Sequence, residues 1–241
     1  MTPARLLCRL LAEPQEALRL DPAQWTGVIA VARAELLIGS LAFRLRGLPA
    51  PSLMEAAILS AEEGRRQALW EAEMARRALA SAGCPVILLK GTAFVAAGLD
   101  AGQGRHIGDL DILVSRAALD MAERALLDAG WEWVKPDPYD DAYYRRWMHE
   151  LPPLIHRERD RMIDVHHTIL PPTARLTPDA AKLIAAAEPL GGGLSILSPE
   201  DMVVHAALHL FADGDLSGGL RNLWDIDRLV REFTARDEAW P

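Results

Sequence analysis

Apolar positions in the first 80 or so residues recur at three- and four-residue spacing, through Leu6, Leu7, Leu10 and Leu11 and again through Val28, Val31, Leu36 and Leu37. That period places them on one face of successive helices. Gly47-Leu48-Pro49-Ala50-Pro51 interrupts it as a loop, and Ser52 is placed to cap the next helix. The following stretch, rich in Ala, Glu and Arg, predicts one long helix over 53–80, ended by Ala82-Gly83.

At Pro85 the pattern changes. Val86-Ile87-Leu88-Leu89 is short and wholly apolar, as a buried strand requires, and Lys90-Gly91-Thr92 follows at once. A short helix is predicted over 93–98. A glycine-rich stretch (Gly98, Gly102, Gly104) then leads to Asp109-Leu110-Asp111-Ile112-Leu113-Val114, a second strand. Ser115 opens a helix that Gly130 stops, and Trp131 begins a third strand. Residues 139–150 fit a helix or a loop equally. Leu154-Ile155-His156 and Met162-Ile163-Asp164-Val165-His166 predict a hairpin across a charged turn. Beyond Pro171-Pro172 the pattern is helical, with starts at Thr177-Pro178 and at Ser198-Pro199-Glu200-Asp201, and a last helix over 220–234. No internal repeat is present. The sum is an α+β fold: a small mixed sheet with helices packed on it at 83–170, flanked by helical segments at 1–82 and 171–241.

Composition narrows the function classes. The net charge of −8 and the absence of a long Lys/Arg run argue against sequence-independent binding of DNA or RNA. Paired arginines such as Arg65-Arg66 and Arg76-Arg77 are expected on solvated helix faces. Two distant cysteines, Cys8 and Cys84, give no disulfide framework and fit a reducing cytoplasm. The first apolar stretch is too short and too charged for a signal peptide, and no segment offers the roughly 18 uncharged apolar residues of a membrane span.

Asp109-Leu110-Asp111 carries the chemistry. On a strand both aspartates share one face while Leu110 and Ile112 turn to the core. With no nearby lysine to pair them, the two carboxylates repel, and a divalent cation with a taste for hard oxygen ligands relieves the repulsion. The bland alternative is a pair of surface carboxylates on an edge strand. Three neighbours favour the metal. Gly108 allows close backbone approach, Lys90-Gly91-Thr92 ends a strand where a turn into a helix suits phosphate, and Asp164 alternates with Met162 and His166 on another strand.

The order LLKGTAF, RHIGDLDILV, MIDVHH resembles the polymerase-beta-like nucleotidyltransferase superfamily and, more narrowly, a bacterial family of uncharacterised nucleotidyltransferases. The similarity spans about 85–167 and continues more weakly through SPEDMVVHAALHL and LWDID. It implies transfer of a nucleoside monophosphate from an NTP to an acceptor, with pyrophosphate leaving in line. Asp109 and Asp111 would hold two metal ions, magnesium or alternatively manganese, and Asp164 would complete the set and take the acceptor proton. Gly91 and Thr92 would cradle the phosphates. Thr92 departs from the more usual Ser or Gly, and the gap from the turn to the first carboxylate is long for the superfamily.

Lys90 and Arg105 are the candidate phosphate partners, or else form salt bridges with the same aspartates or with neighbours. His166 is placed to orient a ligand or a carboxylate, or to serve as a structural histidine. ATP is the expected NTP. The acceptor is a small molecule, a peptide or protein hydroxyl, or an RNA end, long nucleic acid being disfavoured by the acidic charge. The competing reading is a non-catalytic nucleotide-binding module.

Other signals are weaker. His205 and His209 lie four apart on a helix, but HAALH lacks the glutamate of a metalloprotease motif, so a buried hydrogen-bonded pair is expected. A hydrolase using His205, His209 and Asp227 is the third alternative. Asp213-Gly214-Asp215 begins like a calcium loop, but its twelfth position is Trp224. Asp225 and Asp227, two apart on a helix, do not share a face.

Overall fold

A computed structural model describes residues 1–80, 83–212 and 216–236. The Ala82 end of the long helix and the Asp213-Gly214-Asp215 segment lie outside these.

The chain opens with α1 (Pro3–Ala12), a 3-10 segment (Pro14–Arg19), α2 (Pro22–Ala34), α3 (Ile38–Arg44) and α4 (Leu53–Ala80). The helix starts follow their caps. Asp21 forms a full capping box with Gln24 at α2, with proline at the first position. The apolar faces expected from the spacing bury Leu7, Leu10, Val28, Leu37 and Leu41 against one another.

The sheet region follows: β1 (Val86–Leu88), α5 (Lys90–Ala96), β2 (Asp109–Leu113), α6 (Leu119–Asp128), β3 (Trp131–Trp133), α7 (Pro138–Trp147), β4 (Leu154–His156) and β5 (Met162–His166). The remainder is α8 (Ala180–Ala186), β6 (Glu188–Gly191), β7 (Leu194–Ile196), α9 (Pro199–Ala212) and α10 (Leu220–Arg236). The described strands form one mixed sheet in the order β3-β4-β5-β2-β1-β7-β6.

Four local expectations need correction. The helix after β1 starts at Lys90, not at residue 93, so Lys90-Gly91-Thr92 is its first turn. Ser115 makes no side-chain capping bond, and a 3-10 turn (Arg116–Ala118) precedes α6. Asp179 rather than Thr177 caps α8, its carboxylate accepting from the Ala181 and Lys182 amides. Residues 188–196, expected to be helical ground, form a hairpin. Gly191, Gly192 and Gly193 take φ values of 91°, 63° and 88° at its turn, a left-handed run open to glycine at no steric cost. Its second strand, β7, pairs parallel with β1. At α9 the capping-box-like contact is present: Ser198 Oγ accepts from the Asp201 amide and donates to the Asp201 carboxylate.

Two apolar clusters result. One joins the sheet to α4, α6, α9 and α10, with Leu79, Ile87, Leu113, Leu126 and Leu229 sealed inside. The other joins α1, α2 and α3 to the start of α4. Two helices bridge them: α4 supplies Met54 to the second and Leu79 to the first, and α10 supplies Trp224 and Leu229 likewise. Among the described residues no helix is long and apolar enough to cross a membrane.

Candidate metal and nucleotide site

Strand β2 lies between β1 and β5, antiparallel to the first and parallel to the second. In the parallel register Asp111 stands opposite Asp164, and Asp109 one strand repeat earlier opposite Met162. Their even alternates Leu110 and Ile112 are buried in the core. Pleat and register therefore deliver three carboxylates to one patch of the sheet. One ligand oxygen or nitrogen from each of Asp109, Asp111 and Asp164 lies within 4.8 Å of the others.

The three are held differently. Asp109 is exposed and Asp111 is buried, while Asp164 is half-buried. Lys90 Nζ donates to Asp111 Oδ1 at 2.7 Å, and His166 Nε2 lies 3.0 Å from the same oxygen. Because a carboxylate only accepts, Nε2 is the protonated ring nitrogen. The lysine contact is built by the ladder: the Leu89 amide bonds the Asp111 carbonyl at 3.0 Å, so the next residue sits over Asp111. Lys90 itself takes φ of 46°, uncommon for a residue with a side chain. The expectation that no lysine stands near the pair is therefore corrected: Lys90 crosses from the neighbouring strand end to Asp111.

Burial pushes the Asp111 carboxyl up, but the His166 hydrogen bond and the Lys90 charge outweigh it and hold the group well below the ordinary carboxylate range. Asp164 goes the other way. Burial, then the charges of Asp111 and Glu150, push it up to about 7. Its Oδ1 is buried without a hydrogen-bond partner. A buried acceptor left unsatisfied is costly and rare. Lys90 keeps its charge: burial lowers its pKa, yet Asp111 raises it further.

Gly91 and Arg105 are in contact. A Cβ at Gly91 would sit 1.9 Å from an Arg105 guanidinium nitrogen and 2.8 Å from Cζ. The guanidinium cannot simply swing away, because Nε donates to the buried Asp225 Oδ2 at 2.9 Å. Glycine at 91 is thus required by an arginine that α10 pins in place. Arg105 is almost wholly buried and forms a salt bridge with Asp225, 120 residues distant. Thr92 is buried too, and its hydroxyl has no partner. At Gly108 a Cβ would meet nothing within 4 Å, so no packing inside the chain demands glycine there.

His205 and His209 line a small cavity with Lys90, Arg105 and Asp225, and His205 is buried. Among the described residues neither joins a group able to hold a metal. Asp227 is engaged by Arg228 and Arg231 on the far face of α10 from Asp225, which removes the carboxylate that the hydrolase alternative needs.

Sequence reasoning missed Glu150 and His149, and weighed Asp225 only as half of a metal pair with Asp227. Glu150 and His149 end the segment that fitted helix or loop, and they lie beside His166. An Arg221–Asp225 pair four apart on a helix was the available signal for α10. Arg221 is half-buried; burial first, then the charge of Arg105, lowers its pKa, and Asp109 and Asp111 act on it in the opposite sense.

The family described as uncharacterised nucleotidyltransferase matches residues 21–241. Comparisons with curated proteins and with solved structures gave no match.

Proposed function

We propose that this chain, which belongs to the uncharacterised nucleotidyltransferase family, moves a nucleoside monophosphate from an NTP to an acceptor hydroxyl or phosphate at Asp109, Asp111 and Asp164, with divalent metal bound and pyrophosphate released. The carrying observation is the buried, unpartnered Asp164 oxygen inside a cluster of three carboxylates within shared-ion reach. Three hard oxygen donors suit magnesium, with manganese as the alternative. Side-by-side placement of the carboxylates on neighbouring parallel strands supports the polymerase-beta-like superfamily.

When bound, the metal supplies charge neutralisation at the triphosphate and lowers the pKa of an acceptor hydroxyl. The chain does the rest. Asp111 is ionised and held in one orientation by Lys90 and His166, so ligand geometry is set before substrate arrives. Asp164, the remaining carboxylate of the set, is the residue placed to take the acceptor's proton as it attacks the α-phosphate. Lys90 brings a fixed positive charge to the phosphates. The Gly91-Thr92 backbone forms the phosphate cradle, and Arg105 acts from beneath by fixing that backbone rather than by touching phosphate. Gly108 leaves an open approach ahead of Asp109. ATP is the expected donor.

The test uses each of the four NTPs, α-labelled, with magnesium and the wild-type or Asp111→Ala protein. Label transfer and pyrophosphate release in the wild type, lost in Asp111→Ala, are the expected outcome. Release that survives the substitution removes the assignment. Nucleotide binding without turnover in either protein favours the non-catalytic binding module.

A further inference from the structure

A second cluster lies beside the carboxylates. His149 Nε2 is 3.7 Å from Glu150 Oε2, and His166 Nδ1 is 3.4 Å from the same oxygen. The two imidazole rings are 5.1 Å apart. One ligand atom from each residue lies within 4.8 Å of the others. Ligands at about 2.0–2.2 Å from a tetrahedral ion stand roughly 3.3–3.6 Å from one another, so the cluster has nearly the spacing a zinc-sized ion needs.

The polar groups are not satisfied by one another. The Nδ1 atoms of both His149 and His166 are buried without a hydrogen-bond partner, and the His166 side chain is only 1% exposed. An orphaned ring nitrogen at such depth asks for a partner. The ligands are also pinned. The His167 amide bonds the His149 carbonyl, the Leu151 amide bonds the Val165 carbonyl, and Glu150 bridges to His166, all along the end of β5.

The geometry points to a second metal site, formed by His149, Glu150 and His166, that takes a zinc-class divalent ion. Two imidazoles and one carboxylate favour borderline transition ions, whereas the all-oxygen cluster next door favours magnesium. The two sites share one imidazole. His166 ligates through Nδ1 and donates through Nε2 to Asp111 Oδ1, a carboxylate–histidine–metal chain that fixes the ring's tautomer and the carboxylate's orientation.

The probe is cobalt(II), whose visible d–d absorption reports nitrogen ligands, titrated into chelator-treated full-length protein in excess magnesium. The expected result is a saturable band at one equivalent. Glu150→Gln and His149→Ala weaken the cobalt affinity at least about tenfold, and Asp109→Asn leaves it in place. Glu150→Gln keeps size and shape, so it decides the matter if His149→Ala fails to fold. No saturable band, a band unaffected by Glu150→Gln, or a band lost in Asp109→Asn overturns the site. A cobalt band in a protein without nucleotidyl transfer keeps this site and removes the proposed activity, and transfer without the band does the reverse.

Discussion

Strands β2 and β5 bring one carboxylate each to the same register position, Asp111 and Asp164, and their surroundings treat the two oppositely. Asp111 is buried, yet two donors meet one of its oxygens and keep it ionised. Asp164 is less buried, yet it has an oxygen with no partner and retains a proton up to about 7. Exposure alone would order the pair the other way. What differs is that Lys90 and His166 both reach Asp111 and neither bonds Asp164. Like charges crowded in a low-dielectric site cannot all ionise without a counter-charge. The chain supplies that counter-charge on one side of the register; on the proposed reading a bound cation supplies it on the other.

The largest effect that breaks this pairing is on turnover. Asp111→Asn or Asp164→Asn removes a ligand worth several kcal/mol of charge stabilisation, so NTP turnover should fall by about 10³-fold or more in steady-state assays. Similar loss from both, despite their different resting states, would show that they act as one set.

The next effect sharpens the contrast through pH. Magnesium must displace the Asp164 proton, so affinity should fall about tenfold per unit as pH drops below about 7, as measured by calorimetry. Asp111, ionised throughout, contributes no such slope. A flat profile between the ordinary carboxylate value of 3.8 and about 7 would remove the asymmetry.

Lys90→Met strips Asp111 of one donor and the phosphates of a charge. A charge-assisted contact of about 1.5–3 kcal/mol predicts a KM for NTP raised roughly 10- to 100-fold.

The smallest effect concerns stability. Asp164 prefers its neutral form in the folded protein, so its contribution is present below the ordinary carboxylate value of 3.8 and is lost as pH rises through about 7. Metal-free wild type should therefore lose stability over that window. Asp164→Asn, which cannot ionise, should melt a few degrees higher than metal-free wild type at pH 8, while Asp111→Asn should melt lower. The first outcome separates a lost ligand from a damaged fold.

Much of this was legible in the sequence, because periods of two and 3.6 residues are local. The alternation around Leu110 and Ile112 placed Asp109 and Asp111 on one face, and the same period placed Asp164 with His166. Long-range pairings were not legible. Lys90 meets Asp111 only because β1 and β2 run antiparallel, and Arg105 meets Asp225 across 120 residues. The β6–β7 hairpin was hidden because its strands are short and their pattern weak. Its second strand is specified by parallel pairing to β1 rather than by its own periodicity. Glu150 went unnoticed because its neighbourhood carries no clear period, although the fold delivers it to His166.

On the proposed reading Asp109, Asp111 and Asp164 chelate one shared ion. Anomalous scattering from crystals grown with manganese and a non-hydrolysable NTP tests it directly. A peak bonded to a carboxylate oxygen of each of the three residues is the predicted result. A peak coordinated by Asp109 and Asp111 alone, with Asp164 beyond ligand distance, would contradict the account.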